Sequence, residues 1–328
     1  MLSNSLNRGF RGSFTGILIT YLLILIASFF IRSNLGNYHF PNLFFNYFTS
    51  QIQSHFLILM INHFLLLAGI SLVAYIVSNE EIVDKLNYFP VFIFLLLNTI
   101  IINKEQVSLF FVGNIAILYA IYKIFNSYRQ ERALSNIYNA CFWISFTLYL
   151  NITNIFIFPF IFICLAILRS FNWREYAVAL IGFASPIFIY ECLSYLFNFN
   201  QWYVFESIGE IFHGLQFPVF NINFLPVIAI TVLLFVLSIL QVMADGFGNT
   251  VKKQKAKSIF LWLMLILVPT LFSSGITYES IFILYSIPLS FFIGEFFFNL
   301  RSIRLSNIFL TLLILCALFY LLKKTEIF

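Results

Sequence analysis

The chain has 328 residues, of which 61% are hydrophobic and 9% are charged, and its formal net charge is +5. Soluble domains carry roughly 25% charged residues, because much of their surface must face water. The composition therefore excludes a soluble globular fold and predicts a chain whose main solvent is the lipid bilayer. It gives no support to nucleic-acid binding, since the basic residues are scattered over short connectors.

Apolar runs follow one another along the chain and predict an all-α, polytopic bundle of transmembrane helices, with residues 1–328 forming one membrane domain. A membrane-spanning helix needs about 20 apolar residues. Counting every run as a crossing gives about eleven spans. In chain order the runs lie at about 13–31, 56–77, 89–102, 107–125, 137–150, 155–168, 176–196, 223–243, 258–274, 280–298 and 306–322.

Four of these runs form two tight pairs, at about 89–125 and 137–168. Only Asn103–Gln106 divides the first pair, and only Asn151–Asn154 divides the second. A helix of about 14 residues covers about 21 Å, which is short of the roughly 30 Å hydrocarbon core. The first member of each pair is therefore either a short, enclosed helix or half of a re-entrant hairpin.

The positions of Lys and Arg predict a cytoplasmic N-terminus, because cytoplasmic loops of membrane proteins are enriched in these residues. This orientation places 14 of the 18 basic residues inside and four outside, as expected for a multi-pass protein of the bacterial inner membrane. Those inside are Arg8, Arg11, Lys85, Lys123, Arg129, Arg132, Arg169, Arg174, Lys252, Lys253, Lys255, Lys257, Arg301 and Arg304. Those outside are Arg32, Lys104, Lys323 and Lys324.

The longest polar gap, residues 197–221, is predicted to be an external loop with an interfacial helix. Glu206, Glu210 and His213 are spaced to share one helix face. Two carboxylates and an imidazole are suited to acid–base catalysis or to holding a divalent metal. The alternative is an amphipathic helix lying on the membrane. In that case the residues facing lipid would be Val204, Ile208, Ile211 and Phe212.

A few other ionisable residues are candidates for chemistry. In the predicted external loops, Glu105 is a candidate acid or base, and Arg32 and Lys104 are candidates to hold phosphate. His63 and Glu191 fall inside apolar runs, where ionisable side chains are costly and tend to face the protein interior. Two interpretations are open for each of these residues: a functional role, or a structural role as a packed or hydrogen-bonded side chain.

Three stretches carry a resemblance: Leu150–Pro159 (LNITNIFIFP), Arg169–Arg174 (RSFNWR) and Gly182–Pro186 (GFASP). Together they resemble the middle of the polytopic glycosyltransferases of the GT-C fold class, which use polyprenyl-phosphate sugars. The resemblance implies a cytoplasmic N-terminus, paired short helices and an external site near lipid phosphate. The chain as a whole is similar to an uncharacterised family of bacterial inner-membrane proteins, a likeness that implies no activity.

The resemblance also implies acidic residues in the external loops. The first of these loops, 32–55, contains no Asp or Glu, whereas Glu105 matches a second acidic position of the class. Three functions remain open: a lipid-linked sugar transferase with an outward site, a non-catalytic subunit or scaffold of a membrane complex, and a transporter or flippase. The expected partners are membrane lipids, a polyprenyl-phosphate-linked substrate and other membrane proteins.

Overall fold

A computed structural model describes Tyr21 and residues 54–79, 87–99, 109–197, 204, 208–209, 222–244, 250–272, 278–300 and 302–324. All the regular secondary structure within these ranges is helical, which confirms the predicted all-α class. Ten α-helices lie in them. Their bounds are α1 His55–Asn79, α2 Phe89–Thr99, α3 Leu109–Asn126, α4 Leu134–Phe146, α5 Phe158–Leu168, α6 Trp173–Phe197, α7 Leu225–Ala244, α8 Val251–Ile266, α9 Tyr278–Asn299 and α10 Ile303–Lys324.

Seven helical segments in the described ranges are long and apolar enough to cross a membrane, so the chain is a multi-pass helical membrane protein. They contain α1, α3, α6, α7, α8, α9 and α10, and the α8 segment continues through the 3₁₀ turn Val268–Phe272. The shorter helices are α2, α4 and α5. The figure of about eleven spans and the cytoplasmic N-terminus stay predictions.

Helices α2 and α9 form the centre of the bundle. Every residue of α2 is buried, as is 89% of the most apolar window of α9. Their backbones approach closely at Gly294, where an added Cβ would lie 2.5 Å from the backbone nitrogen of Pro90. Next to this contact, the side-chain amide of Asn87 donates to the carbonyl of Gly294 at 3.3 Å. The described part of the run 89–102 is thus a short, enclosed helix, one of the two predicted alternatives.

The remaining helices pack around this pair. On one side α1 contacts α3, α3 contacts α4 and α4 contacts α6, while α7, α8 and α10 complete the bundle on the other. Small residues again set the closest approach: an added Cβ on Gly182 of α6 would lie 2.8 Å from the carbonyl oxygen of Tyr138 on α4. Close backbone approach at Gly is typical of helix contacts in membranes.

One end of the bundle gathers cations, and we call it the basic end. Arg169 lies 2.8 Å from Glu175 and also donates to the carbonyl of Ser127. Lys257 of α8 lies 2.7 Å from Glu295 of α9. These contacts join the α3–α4 and α5–α6 connectors to the start of α8 and the end of α9. The opposite end, called the far end, contains the α4–α5 turn and the last residues of α10. The described members of the cations assigned to the cytoplasm thus share one end, although the side of the membrane that it faces stays a prediction.

One boundary differs from the sequence analysis. The lysines at 252–257 were expected in a loop before a span at about 258, but α8 begins at Val251. Thr250 caps it, with Oγ1 accepting from the backbone N–H of Lys253 at 3.4 Å. A low local hydropathy hid these first two turns, because a helix that emerges from the bilayer no longer needs apolar residues.

Candidate functional site

The α4–α5 turn, at the far end, has an irregular backbone in the part of the chain that the structure describes. After α4 the chain forms 3₁₀ turns at Thr147–Tyr149 and Ile152–Ile157 before α5 begins. The side chain of Asn151 accepts the backbone N–H of Thr153 at 3.2 Å, so this residue caps the second turn. Pro159 in the first turn of α5 fixes a helical φ where its missing N–H is not needed. Leu150–Pro159, the first of the three stretches that carry the resemblance, therefore forms this turn.

Buried polar atoms in this turn have no partner. The amide nitrogen of Asn154 donates to the carbonyl of Thr147 at 3.3 Å, yet Asn154 Oδ1 and Thr153 Oγ1 are buried without a hydrogen-bond partner. The amide packs beside Gly113 of α3, where an added Cβ would lie 3.8 Å from Asn154 Nδ2. Leaving such groups unsatisfied away from water is expensive. These atoms are therefore available to a ligand that carries hydrogen-bond donors.

Two residues of the predicted interfacial helix pack on the turn. Val204 is 1% exposed and forms an apolar cluster with Leu148, Tyr149 and Ile152, and Ile208 packs against that cluster. The amphipathic-helix alternative, in which Val204 faces lipid, is therefore wrong at this position, whereas Ile208 is half-buried. The reason is that the turn offers Val204 an apolar protein surface. Glu206, Glu210 and His213 lie outside the described residues, as do Ile211 and Phe212.

Glu191 lies beside the same apolar cluster. The preceding residue, Tyr190, packs against that cluster and stacks on Tyr149 with ring centroids 4.4 Å apart. The Tyr149 hydroxyl in turn donates to the carbonyl of Pro186 at 3.5 Å. Glu191 follows Tyr190 on α6, so the backbone of α6 brings it near the cluster that contains Val204. Its position near the 206–213 segment stays a prediction.

A second group of buried polar side chains joins α2, α3 and α9. Asn98 Nδ2 donates to Ser286 Oγ at 2.9 Å and to the carbonyl of Phe94 at 2.8 Å. Asn114 Nδ2 has three acceptors at 3.2–3.5 Å: Asn98 Oδ1, the carbonyl of Ile283 and Ser286 Oγ. Two N–H groups cannot serve three acceptors well, and Asn114 Oδ1 is buried without a partner. Asn114 adjoins Gly113, so α3 touches both polar groups.

The sequence analysis missed these amides because it searched the apolar runs for charged residues. Asn98, Asn114 and Ser286 are uncharged, and a single polar residue in a long apolar run leaves its mean hydropathy high. A signal was present, since an Asn in the middle of an apolar run must find hydrogen-bond partners within the protein. Searching the runs for amides would have identified two of the three positions.

His63 is buried in α1 and contacts Tyr21. Its Nδ1 lies 3.3 Å from the Tyr21 hydroxyl, and the two rings meet edge to face with centroids 5.7 Å apart. The packing order α1, α3, α4, α6 separates His63 from Glu191. Of the two predicted intramembrane sites, only Glu191 therefore belongs to the far-end surface. His63 fits the alternative of a packed, hydrogen-bonded histidine.

The remaining predicted site residues are not placed. Arg32, Lys104 and Glu105 lie outside the described residues. Within the described ranges, no three His, Cys, Asp or Glu side chains come together in a way that could hold a metal ion. The possible divalent metal was predicted from Glu206, Glu210 and His213, and it stays a prediction.

An apolar groove opens between α7, α8 and α9. Its volume is about 470 Å³, and the exposed side chains of Val232, Leu261, Leu265 and Val268 place its opening on the outer surface of the bundle. The 3₁₀ turn after α8 contributes Val268 and Leu271 to the wall, and it also packs against Ile152–Ile157. One end of the groove therefore adjoins the α4–α5 turn.

Comparison with known proteins finds no match: no family model, no curated protein and no solved structure is detectably similar to this chain.

Proposed function

We propose that this protein acts on a lipid-linked substrate, as a GT-C-like sugar transferase whose site lies at the far end and faces outward from a bacterial inner membrane. The observation that carries the proposal is the adjacency of the groove and the α4–α5 turn. A lipid-linked substrate needs an apolar channel for its tail and a polar surface for its head. The groove supplies the first, and the second lies where its wall meets Ile152–Ile157.

The geometry of the groove suits a lipid chain. Its rim residues belong to helices of membrane length, so the medium next to the opening is hydrocarbon. Thr231 in its wall satisfies its own hydroxyl by donating to the carbonyl of Val227 at 2.9 Å. The lining thus presents almost entirely apolar surface, the exception being the Tyr285 hydroxyl, which is buried without a partner. Such a lining suits an isoprenoid or acyl tail entering from the bilayer.

In this proposal the head group meets the α4–α5 turn and the loop residues predicted from the sequence. Sugar hydroxyls would donate hydrogen bonds to Asn154 Oδ1 and Thr153 Oγ1. Acid, base or metal-binding groups would come from Glu206, Glu210 and His213, together with Glu105. Arg32 and Lys104 would hold the phosphate. Val204 and Ile208 support this arrangement, because these two residues, close in sequence to Glu206 and Glu210, pack on the turn.

The test is complementation by groove variants. In a strain that lacks the protein, the profile of lipid-linked sugars should change, and the wild-type chain should restore it. Val232→Trp fills the groove from its rim and should fail to restore the profile. Leu233→Trp is the matched control, because Leu233 is exposed on the same helix outside the groove. An unchanged glycolipid profile in the deletion strain would argue for a non-catalytic subunit instead.

A second candidate, a transporter or flippase, gains support from the buried amides. Transport sites lie along polar paths within the membrane domain. The Asn98–Asn114–Ser286 group provides polar atoms inside the bundle where the sequence analysis had found few. This candidate is favoured if the protein is needed to restore the glycolipid profile when the lipid must change leaflets. It should then not be needed when the substrate is supplied on the outer face.

A further inference from the structure

Two cations share one aromatic ring at the basic end. Lys255 Nζ lies 5.2 Å from the ring centroid of Tyr128, and the guanidinium of Arg129 also lies 5.2 Å from it. Each contact is favourable by itself. The two like charges nevertheless repel each other, which a connector selected for stability alone would avoid.

Among the acidic residues that the structure describes at this end, none forms an ion pair with Arg129 or Lys255. Glu175 is engaged by Arg169, and Glu295 is engaged by Lys257. Glu131 is exposed in the same connector, where Arg132 follows it directly. The basic end therefore has an excess of positive charge around Tyr128.

The backbone of Arg129 is strained. Its φ of 59° lies in the left-handed region, which L residues other than Asn and Asp seldom adopt. Gly would remove the strain at this position. Arg129 follows the end of α3, where a left-handed residue commonly terminates a helix, and its guanidinium lies over the ring of Tyr128.

Two exposed aromatic side chains mark the membrane surface at this end. Phe171, in the α5–α6 connector, is 80% exposed, and Trp173, the first residue of α6, is 67% exposed. The guanidinium of Arg174 lies 5.9 Å from the Trp173 ring centroid. Exposed aromatic residues beside basic ones are typical of the headgroup level of a bilayer. Lys255 reaches the same connector, since it donates to the carbonyl of Leu168 at 3.4 Å.

From these contacts we infer that Arg129 and Lys255, on either side of Tyr128, bind the headgroup phosphate of an anionic membrane lipid. Charge complementarity identifies the occupant: a net positive site at the depth of the headgroups faces the most abundant anions there. Phe171 and Trp173 lie beside the site and contact the upper part of the acyl chains. In the first turn of α8, Lys252 and Lys253 lie beside Lys255, at the helix end where positive charge is otherwise unfavourable.

Lipid competition tests the inference. The full-length protein, in mixed micelles of palmitoyl-oleoyl phosphatidylglycerol and the matching phosphatidylcholine, is examined by native mass spectrometry for the ratio of the two lipids retained. Each cation removed should lower the preference for phosphatidylglycerol about fivefold, the equivalent of roughly 1 kcal/mol per charge. Arg129→Gly relieves the backbone strain while removing the charge, so a folded variant is expected. Lys255→Gln is the second variant.

The controls separate a bound lipid from other causes. Lys323→Gln removes an exposed cation at the far end and should leave the preference unchanged. Added inorganic phosphate should not displace the lipid, because it lacks the chains that Phe171 and Trp173 contact. An equal loss in Lys323→Gln, no loss in Arg129→Gly, or displacement by inorganic phosphate would each overturn the inference.

Discussion

The two ends of the bundle differ in how most of their described buried polar groups are satisfied. Ser306 Oγ and Gln241 Oε1, towards the basic end, are exceptions that have no partner. At the basic end, Glu175 and Glu295 each have a cationic partner within 3 Å. Towards the far end, Asn114 Oδ1, Asn154 Oδ1 and Thr153 Oγ1 are buried with no partner. Because an unsatisfied polar group in a bilayer is costly, the first arrangement supports stability and the second favours binding a ligand.

This comparison separates two kinds of mutation. Changes among the paired groups of the basic end should lower stability whether or not a substrate is present. Changes among the unpaired groups should leave stability nearly unchanged and act on function instead. The predictions below run from the largest expected effect to the smallest.

The largest effect is expected at the two glutamates predicted from the sequence to belong to the site. Glu206→Gln and Glu210→Gln should each abolish complementation while expression and membrane insertion stay normal, because the amide keeps the polarity and removes the acid–base or metal-binding group. The assay is restoration of the lipid-linked sugar profile in the deletion strain. An interfacial helix that needs only polarity would tolerate both changes, and that result would remove these residues from the site.

The segment that contains these glutamates must also lie on the outer side of the membrane. A cysteine at position 207, Ser207→Cys, should react with a membrane-impermeant thiol reagent in intact cells. A parallel assay in a chain without its four native cysteines provides the background. Reaction only after permeabilisation would show that the predicted orientation is inverted.

Breaking the ion pair of the basic end should give the largest loss of stability. Glu175→Ala leaves Arg169 largely buried without its carboxylate, and we expect the free energy of unfolding to fall by about 3 kcal/mol. Replacing both residues with Leu should cost less than the single change, because no charge is then left unpaired. Thermal unfolding in detergent measures both. If the double variant is the less stable one, the pair contributes net attraction and this account of it is wrong.

The close approach of α2 and α9 should be the next most sensitive feature. Gly294→Ala introduces a Cβ that would lie 2.5 Å from Pro90, so the helices must separate, at a cost of about 1–3 kcal/mol. Gly209→Ala is the control, because a Cβ at that position meets nothing within 4 Å. It should change stability by less than about 0.5 kcal/mol. Equal effects in thermal unfolding would show that the α2–α9 contact is looser than described.

Much of the fold follows from the sequence, because the bilayer imposes one rule on every element. Backbone groups in hydrocarbon must pair within a helix, so each apolar run predicts a helix whatever its neighbours are. Helix α1, for example, was expected over about 56–77 and lies at His55–Asn79. The start of α8 was missed because this rule ends where the helix leaves the lipid.

The site was harder to predict, because it depends on which helices meet. Nothing in the local pattern around Asn114 reveals that Asn98 and Ser286, far away in the sequence, lie beside it. The packing of Val204 on Tyr149 likewise depends on the tertiary arrangement of α4 and α6. Hydropathy indicates which residues are buried in lipid or protein, but it does not say which of them are in contact.

The smallest effect on stability, and the sharpest test of the comparison, is expected at Asn114. Asn114→Leu removes an unsatisfied acceptor together with three long hydrogen bonds, and these changes oppose each other. Polar contacts between membrane helices contribute only about 0.6 kcal/mol on average, so unfolding should change by less than about 1 kcal/mol. Complementation should nevertheless fail, because the substrate or transported group would lose its polar contact with α3.

Asn87→Leu is the matched control for this prediction, because Asn87 is a buried amide of the basic end whose side chain is fully engaged. It donates to the carbonyl of Gly294 at 3.3 Å and accepts from the N–H of Phe89 at 3.0 Å. Its loss should lower stability by about 1–3 kcal/mol, since the backbone partners stay buried. Chains that still fold should keep their activity. If Asn114→Leu is instead the more destabilising change and activity follows stability in both variants, the unpaired amide of α3 is structural and the contrast between the two ends is lost.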